Sequence, residues 1–459
     1  MPLKIPHPRI GIVGGSISGL RTAIGLRHRG IESTIFESQY PYQFEHPRGR
    51  GVILSNAFMQ KAISENLFDT GIPRLPPITG RSFLTKDDSA PQQARTIWKQ
   101  PFLFTPLNWS HIYSNLRKQI PDEHYLTSTE VTSILQDETQ CYVEARGAHG
   151  FIFDRVILAN GMGPSVGKKY FPVTVPNYSG YVAWNGVVTD QKMATLPLFC
   201  DHSPAYLFPN GYLVFYQTPA HDYEKSHDLI LNWSMHVLPK DISPSELLVG
   251  RHDPQNNQNH IAYLHALALK VLPAPIAEII CQTKLPTIQP IFDFQRSRYV
   301  EKRICLIGKA AAVLRPHTVS DLQYELESSA RLAEAFFPYL NTCPTEVSLS
   351  IWSETEVARA KKLNTHSCLI GDRVIHSTPK VYSADWLKTI IEEAQHLSTS
   401  PKSTETDQFV LEQRKQFTPS LDQQVKNSEE VEKLCTSIEK VRLDEAPLSN
   451  SPRPKGIYR

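Results

Sequence analysis

Arg9-Ile10-Gly11-Ile12-Val13-Gly14-Gly15-Ser16-Ile17-Ser18-Gly19-Leu20, read on to Ser33-Thr34-Ile35-Phe36-Glu37, is the stretch that decides the fold. Ile10 to Val13 is a short β-branched run that ends in Gly14-Gly15. From about Ser18 to His28, Leu20, Ala23, Ile24 and Leu26 fall on one side of a helix, and Gly30 stops it. Ser33 to Phe36 then reads as a second strand. Strand, tight turn, helix and strand in so short a span make a βαβ unit, whose parallel strands are buried on both faces. In a G-x-G-x-x-G turn the first glycine allows the bend, the second admits a pyrophosphate to the backbone, and the third lets helix pack on strand. Here the run is Gly14-Gly15-Ser16-Ile17-Ser18-Gly19, with Ser16 at the middle glycine position. Glu37 follows 18 residues after Gly19, at the end of the second strand, where an acid accepts both ribose hydroxyls of an adenosine. An ADP-binding site is expected, with Gly14, Ser16, Gly19 and Glu37 as its contacts.

The rest of the chain sets limits on that reading. At 459 residues it is long enough for two or three domains and a large core. Apolar residues at 41% and charged residues at 20% exclude a mainly disordered or fibrous protein. Lysine and arginine number 48 against 46 acids, so no basic footprint for nucleic acid exists. Seven scattered cysteines without a C-x-x-C pair read as free thiols in a reducing compartment. No apolar run reaches membrane-spanning length, and Ile10–Val13 is too short for a signal-peptide core. A soluble, intracellular protein of the cytoplasm is expected, with no membrane span.

Thr129–Leu135, Cys141–Ala145 and Arg155–Leu158 look like a strand meander leading back to the sheet. From Tyr178 to Val237 the pattern is aromatic and strand-like, and it reads as a separate antiparallel sheet. Ile304–Ile307 is another buried strand, followed by a helical pattern from about Ser320 to Leu340. Composition changes near residue 397, where Ser398 to Thr406 is a linker by composition and Ala446 to Arg459 a disordered tail. Between them Val431, Leu434, Ile438 and Val441 form one apolar helical stripe, with Asn427 and Glu430 in capping-box spacing. The expected division is an α/β, Rossmann-type domain from 1–173 and 290–396, a β-rich substrate domain from 174–289, and a tail from 397–459.

Gly14–Leu20 also resembles the first motif, G-G-S-I-x-G-L, of one branch of the FAD-dependent aromatic-ring monooxygenases. The resemblance continues through Arg48-Gly49-Arg50-Gly51-Val52-Ile53-Leu54, Trp109–Leu116, Tyr181–Gly186 and Leu231-Asn232-Trp233, and covers about residues 8 to 390. It implies the flavoprotein-monooxygenase fold, with Arg48 among the cofactor contacts. Two further family motifs are altered. The A-D-G turn that helps to bind pyridine nucleotide is Ala159-Asn160-Gly161 here. The G-D motif, G-D-A-A-H followed by R-P-H-x-G-x-G, reads Gly308-Lys309-Ala310-Ala311-Ala312 followed by Arg315-Pro316-His317-Thr318-Val319-Ser320-Asp321.

In that family the aspartate holds the ribityl chain and the glycine loop presents N–H groups to the flavin. Lys309 replaces the aspartate and is taken as a cofactor contact, since its ammonium can still reach a phosphate, while Val319 and Asp321 replace the two glycines. A β-branched residue in a left-handed conformation costs on the order of 1–3 kcal/mol. A carboxylate about 4 Å from the negative charge of reduced flavin opposes it by about 4 kcal/mol at an effective dielectric of 20. These residues predict a protein that binds FAD weakly or not at all, through the adenosine half of the site.

Other candidates are fewer. The resemblance brings Arg315 and His317 over the flavin and substrate, either as a proton donor and dipole aimed at the substrate or as structural bonds to the loop. Tyr181, Trp184, Asn185 and Trp233 belong to the expected substrate sheet, where aromatic residues are mostly core. Asn185 and Asn232 interrupt apolar strands, and a buried amide must find a partner; Asn185 is taken as a catalytic candidate with Arg315 and His317. His227 and His236 have no neighbours at metal-ligand spacing, so no metal site is expected. Three functions follow. Ranked first is a secondary-metabolism tailoring enzyme acting on a hydrophobic small molecule without redox chemistry, an isomerase or a cyclase for an intramolecular cycloaddition. The second is a FAD- and NAD(P)H-dependent monooxygenase that hydroxylates a small organic substrate. The third is a non-catalytic binding protein.

Overall fold

The protein, a computed structural model, is described for residues 8–39, 51–147, 150–162, 166–167, 169–172, 174–239, 254–336 and 345–399. Arg48, Cys343, Cys435 and the stripe from Asn427 to Val441 lie outside these residues, as does the linker after Thr399.

The βαβ unit forms as expected. Strand β1 (Ile10–Val13) pairs in parallel with β2 (Ser33–Phe36), and helix α1 (Ile17–Arg27) connects them. Nine of the eleven residues of α1 are buried, because the helix is packed between the sheet and a later helix and has no solvent face. Strands β3 (Gly51–Ser55), β4 (Ile78–Lys86) and β5 (Ala94–Asn108) follow, with helices α2 (Asn56–Ser64) and α3 (Trp109–Arg117). Then come β6 (Tyr125–Leu126), β7 (Val131–Gln136), β8 (Cys141–Ala145), β9 (Phe151–Phe153) and β10 (Arg155–Leu158). The third strand of the meander is β9; β10, expected in the meander, pairs in parallel with β1. The chain switches sheets at Asp154, whose carboxylate accepts the Arg9 N–H at 2.7 Å.

Strands β11 (Asn177–Val188), β12 (His202–Phe208), β13 (Gly211–Pro219) and β14 (Leu229–Val237) precede helices α4 (Pro254–Val271) and α5 (Ala274–Cys281). The chain continues through β15 (Thr287–Gln295), β16 (Val300–Glu301), β17 (Ile304–Leu306) and β18 (Ala312–Val313). It ends in helices α6 (Asp321–Ala335), α7 (Thr345–His376) and α8 (Ala384–Thr399). The Rossmann-type sheet has the order β16-β17-β10-β1-β2-β6.

The second sheet, expected from 174–289 alone and wholly antiparallel, is larger. Its order is β18-β15-β11-β14-β13-β12-β4-β5-β3, so 51–108 supplies three strands, and β4 pairs with β12 in parallel. The segment hides its strands in sequence: β5 carries Pro101 and Pro106 and alternates with exposed charges, a pattern that argues against a strand.

Alternation along the strands divides the large sheet into two faces. Val182, Trp184, Leu213, Phe215, Leu231, Trp233 and Met235 pack on Leu264, Ala268, Ile276 and Ile280 of α4 and α5. The opposite face carries Tyr181, Ala183, Asn185, Tyr212, Val214, Tyr216, Asn232, Ser234 and His236. It meets α7, and it approaches the 308–321 loop and β3. Trp184 and Trp233 are therefore core residues, and the Trp233 indole donates to Thr283 at 2.9 Å. Among the described residues no helix is long and apolar enough to cross a membrane, and no group of three or more His, Cys, Asp or Glu is arranged to hold a metal.

Candidate active site

The nucleotide end is built from the β1–α1 turn. Gly14 adopts φ +107, and a Cβ there would lie 2.6 Å from the Ala159 carbonyl oxygen. Ser16 is the N-cap of α1 but its side chain makes no capping bond, and the first turn carries no acid. The first-turn N–H groups thus have no side-chain acceptor, which makes this terminus attractive to an anion. Glu37 is buried; it accepts the N–H of Gly15 and of Gln39, each at 2.8 Å. Tyr125 donates to the Gly15 carbonyl at 2.9 Å and closes the turn from behind.

The 308–321 loop runs past this turn. Gly308, at φ +58, lies against Ser18, whose hydroxyl donates to Glu325 at 2.9 Å. Lys309 is half exposed, and its ammonium lies 3.9 Å from the same carboxylate. Burial raises the pKa of Glu325, against the pull of Lys309. A carboxylate on α6 thus faces the charge at 309. Val319 adopts φ +58 and ψ 28, so the left-handed turn persists with a β-branched side chain in it. Asp321 opens α6 close enough to Tyr216 for its charge to add to the burial that raises that phenol's pKa.

Arg315 and His317 lie in a buried polar cluster. The Arg315 guanidinium grips Asp293 with two bonds of 2.6 and 2.7 Å and also donates to Asp372 at 2.5 Å and Tyr181 at 3.1 Å. Burial opposes its charge, but Asp293 more than restores it and raises the pKa well above the usual value. His317 has a tyrosine hydroxyl 2.5 Å from each ring nitrogen, Tyr181 at Nε2 and Tyr212 at Nδ1. Burial, then His236 and Arg315, hold its pKa well below the ordinary range, and burial alone pushes His236 down to about 3.

Arg315 donates to Tyr181, and a neutral His317 ring donates through one nitrogen and accepts through the other, so the two tyrosines play opposite roles toward it. Gly371 of α7 is required here, because a Cβ would lie 2.4 Å from His317 Nε2. Both residues, expected as catalytic candidates, have their polar groups spent inside the cluster; of the two readings weighed for them, the geometry favours bonds that hold the loop.

The sheet face beside the loop is organised by register. Asn185, Ser234 and Val214 lie side by side on β11, β14 and β13, and the next row holds Val187, Asn232 and Tyr216. Asn185 is half-buried; its amide makes one long 3.4 Å contact, to the Ala183 carbonyl. Asn232 has a structural task. It accepts the Gly51 N–H at 2.9 Å and donates to Thr218, while Tyr216 donates to the Gly51 carbonyl at 2.9 Å. These bonds hold β3 over the face.

Sequence reasoning missed Asp293, Asp372, Tyr212, Glu325 and Arg81. Asp293 had a signal, a lone acid within the apolar run Ile288–Phe294; the others are scattered along the chain and only topology brings them here. Arg81 of β4 stacks on Phe102 with 3.9 Å from its guanidinium carbon to the ring centroid. Burial without an acid partner lowers its pKa to about 10.

No family model matches the chain. Among curated proteins, 2,6-dihydroxypyridine 3-monooxygenase of Paenarthrobacter nicotinovorans is 26% identical over 339 residues, which span 72% of this chain and 82% of that protein. The structure of 2,6-dihydroxypyridine-3-hydroxylase from Arthrobacter nicotinovorans superposes with a TM-score of 0.71 at 20% identity, covering 83% of this chain and 96% of the other. A salicylate hydroxylase in complex with its substrate gives 0.65 at 18% identity over 90% and 99% of the two chains. HpxO of Klebsiella pneumoniae, complexed with FAD and uric acid, gives 0.65 at 14% identity over 85% and 93%. The resemblance to FAD-dependent aromatic-ring monooxygenases and the flavoprotein-monooxygenase fold both hold. The preference for an isomerase or cyclase gains nothing from these relatives, of which the dihydroxypyridine and salicylate proteins are named as monooxygenase or hydroxylase.

Proposed function

We propose that the protein is a FAD-dependent monooxygenase that hydroxylates a small aromatic substrate. The observation that carries this reading is the likeness to a monooxygenase over four-fifths of that protein's length, joined to a β1–α1 turn that fits a nucleotide. Gly14, Ser16 and the open first turn of α1 would hold the pyrophosphate, and Glu37 the adenosine ribose. At the ring end, the left-handed turn at Val319 keeps the backbone in the shape a glycine would give it. When bound, FAD supplies reduction by a nicotinamide cofactor and the activation of molecular oxygen.

The protein's own residues position and shield. Asp293, Arg315 and His317 fix the loop from behind. Asn232 and Tyr216 hold β3 over the sheet face, and the row containing Asn185 and Ser234 offers hydrogen-bonding groups to a substrate. Preorganised groups of this kind act by orientation and fixed dipoles.

A second reading, catalysis of an isomerisation or cyclisation without flavin redox chemistry, is favoured by Lys309, Val319 and Asp321 together. One experiment separates the two. Purified protein supplied with FAD, NAD(P)H and a panel of hydroxypyridines and hydroxybenzoates should show substrate-stimulated NAD(P)H oxidation, oxygen uptake and a product heavier by one oxygen atom. Turnover of a substrate without reductant, and no NAD(P)H oxidation with any member, would favour the second reading.

A further inference from the structure

Resting on that reading, we infer that Arg81 is the anchor for an anionic oxygen on the aromatic substrate, a carboxylate or an ionised ring hydroxyl. Arg81 lies on the same sheet face as Tyr212 and Tyr216. Register places its neighbour Ser203 on β12. Arg315 ends on Asp293 and Asp372, and Arg296 on the carbonyls of Ala310 and Pro172. Arg21 of α1 has a buried Nε without a partner, and so has Arg81. The one polar contact of Arg81 among the described residues is a long 3.5 Å bond from Nη2 to the Ser203 hydroxyl, whose own proton is given to the Phe215 carbonyl at 2.9 Å. Its Nε is shut from solvent without a partner, and among the described residues no carboxylate pairs with it. A guanidinium with its Nε cut off from water and unpaired is costly unless an anion meets it.

The surroundings suit a flat partner. Phe102 lies under the guanidinium and stacks on Phe104 with centroids 4.1 Å apart. β5, which carries both rings, meets β13, which carries Tyr212, Val214 and Tyr216. A planar ring with a negatively charged oxygen would present its charge to Arg81 and its faces to aromatic groups.

The test measures dissociation constants by calorimetry on the full chain for 4-hydroxybenzoate, its uncharged partner 4-hydroxybenzamide, and 4-nitrophenolate. Wild type should bind at least one of the two anions about tenfold or more tighter than the amide, about 1.4 kcal/mol. The stronger anion tells carboxylate from ring oxygen. Arg81→Met should abolish that gap with the amide little changed, and Arg81→Lys should keep part of it. Equal binding of anion and amide by wild type would overturn the inference without any variant, as would failure to bind any of the three. A gap that survives in Arg81→Met would overturn it as well. FAD content is read in the same samples: an anion preference without bound flavin would leave Arg81 standing and remove the monooxygenase.

Discussion

Replacing Arg315 by Met removes the centre of the buried cluster and leaves Asp293 behind as a charge. That carboxylate is 7% exposed, with the Cys368 thiol 3.2 Å away. Deleting one partner of a buried pair typically costs 3–5 kcal/mol, because the other charge stays desolvated. Asp372 adds little to the loss, since its side chain is 30% exposed and hydrates once released. We expect Arg315→Met to lower the melting temperature by several degrees. The double variant Arg315→Met, Asp293→Leu should recover most of that loss, because apolar replacement of a whole buried pair is often near neutral. Thermal melts of the wild type, both single variants and the double variant make the test. If Arg315→Met melts within about a degree of wild type, or the double variant is no better than the single, the clamp reasoning is refuted. Normal melting with lost turnover would instead return Arg315 to a direct part in the chemistry.

Acidification should destabilise the protein. His236 and His317 stay neutral when folded and take up protons near pH 6.5 when unfolded, so their contribution is complete above that pH and lost as pH falls below it, for His236 down to about 3, each by up to about 1.4 kcal/mol per pH unit. Melts from pH 7 to 5 should fall, and His236→Phe should flatten the fall; a rising profile would contradict the assignment. Val319→Gly should raise the melting temperature, since relief of about 1–3 kcal/mol of left-handed strain exceeds the roughly 0.5–1 kcal/mol that glycine adds in chain freedom; a lower value would mean the side chain's packing outweighs the strain. Gly371→Ala, a change that ordinarily favours a helix by about 1 kcal/mol, should destabilise here because of the clash with His317, and a stabilised variant would show the cluster to be loosely packed. Lys309→Asp with Val319→Gly and Asp321→Gly should raise FAD occupancy more than any single change, measured by flavin absorbance per protein, if those positions limit binding.

The βαβ unit was legible because its strands are short, β-branched and buried on both sides, and Gly14 marks the one turn where a side chain would strike Ala159. The three strands from 51–108 were not, since β5 mixes prolines and exposed charges with its inward residues and only its pairing with β4 and β3 makes it a strand. The loop motif gave the location of Arg315 and His317 but not their direction. That depends on Asp293, Asp372, Tyr181 and Tyr212, which lie on four other elements, and no spacing in sequence records how close these come. Asn232 was legible as a buried amide in need of a partner, and the partners are Gly51 and Thr218. Arg81 could not be found in sequence, because a cation without an acid is recognisable only once its neighbours are known.

The visible absorption spectrum of the purified protein, recorded before and after incubation with FAD and removal of the excess, bears most directly on the proposed function. A flavin-binding monooxygenase should retain the yellow bands of protein-bound flavin, and these should bleach when NAD(P)H and a binding substrate are added without oxygen. Protein that stays colourless after incubation, with no change in flavin fluorescence on mixing, would contradict it.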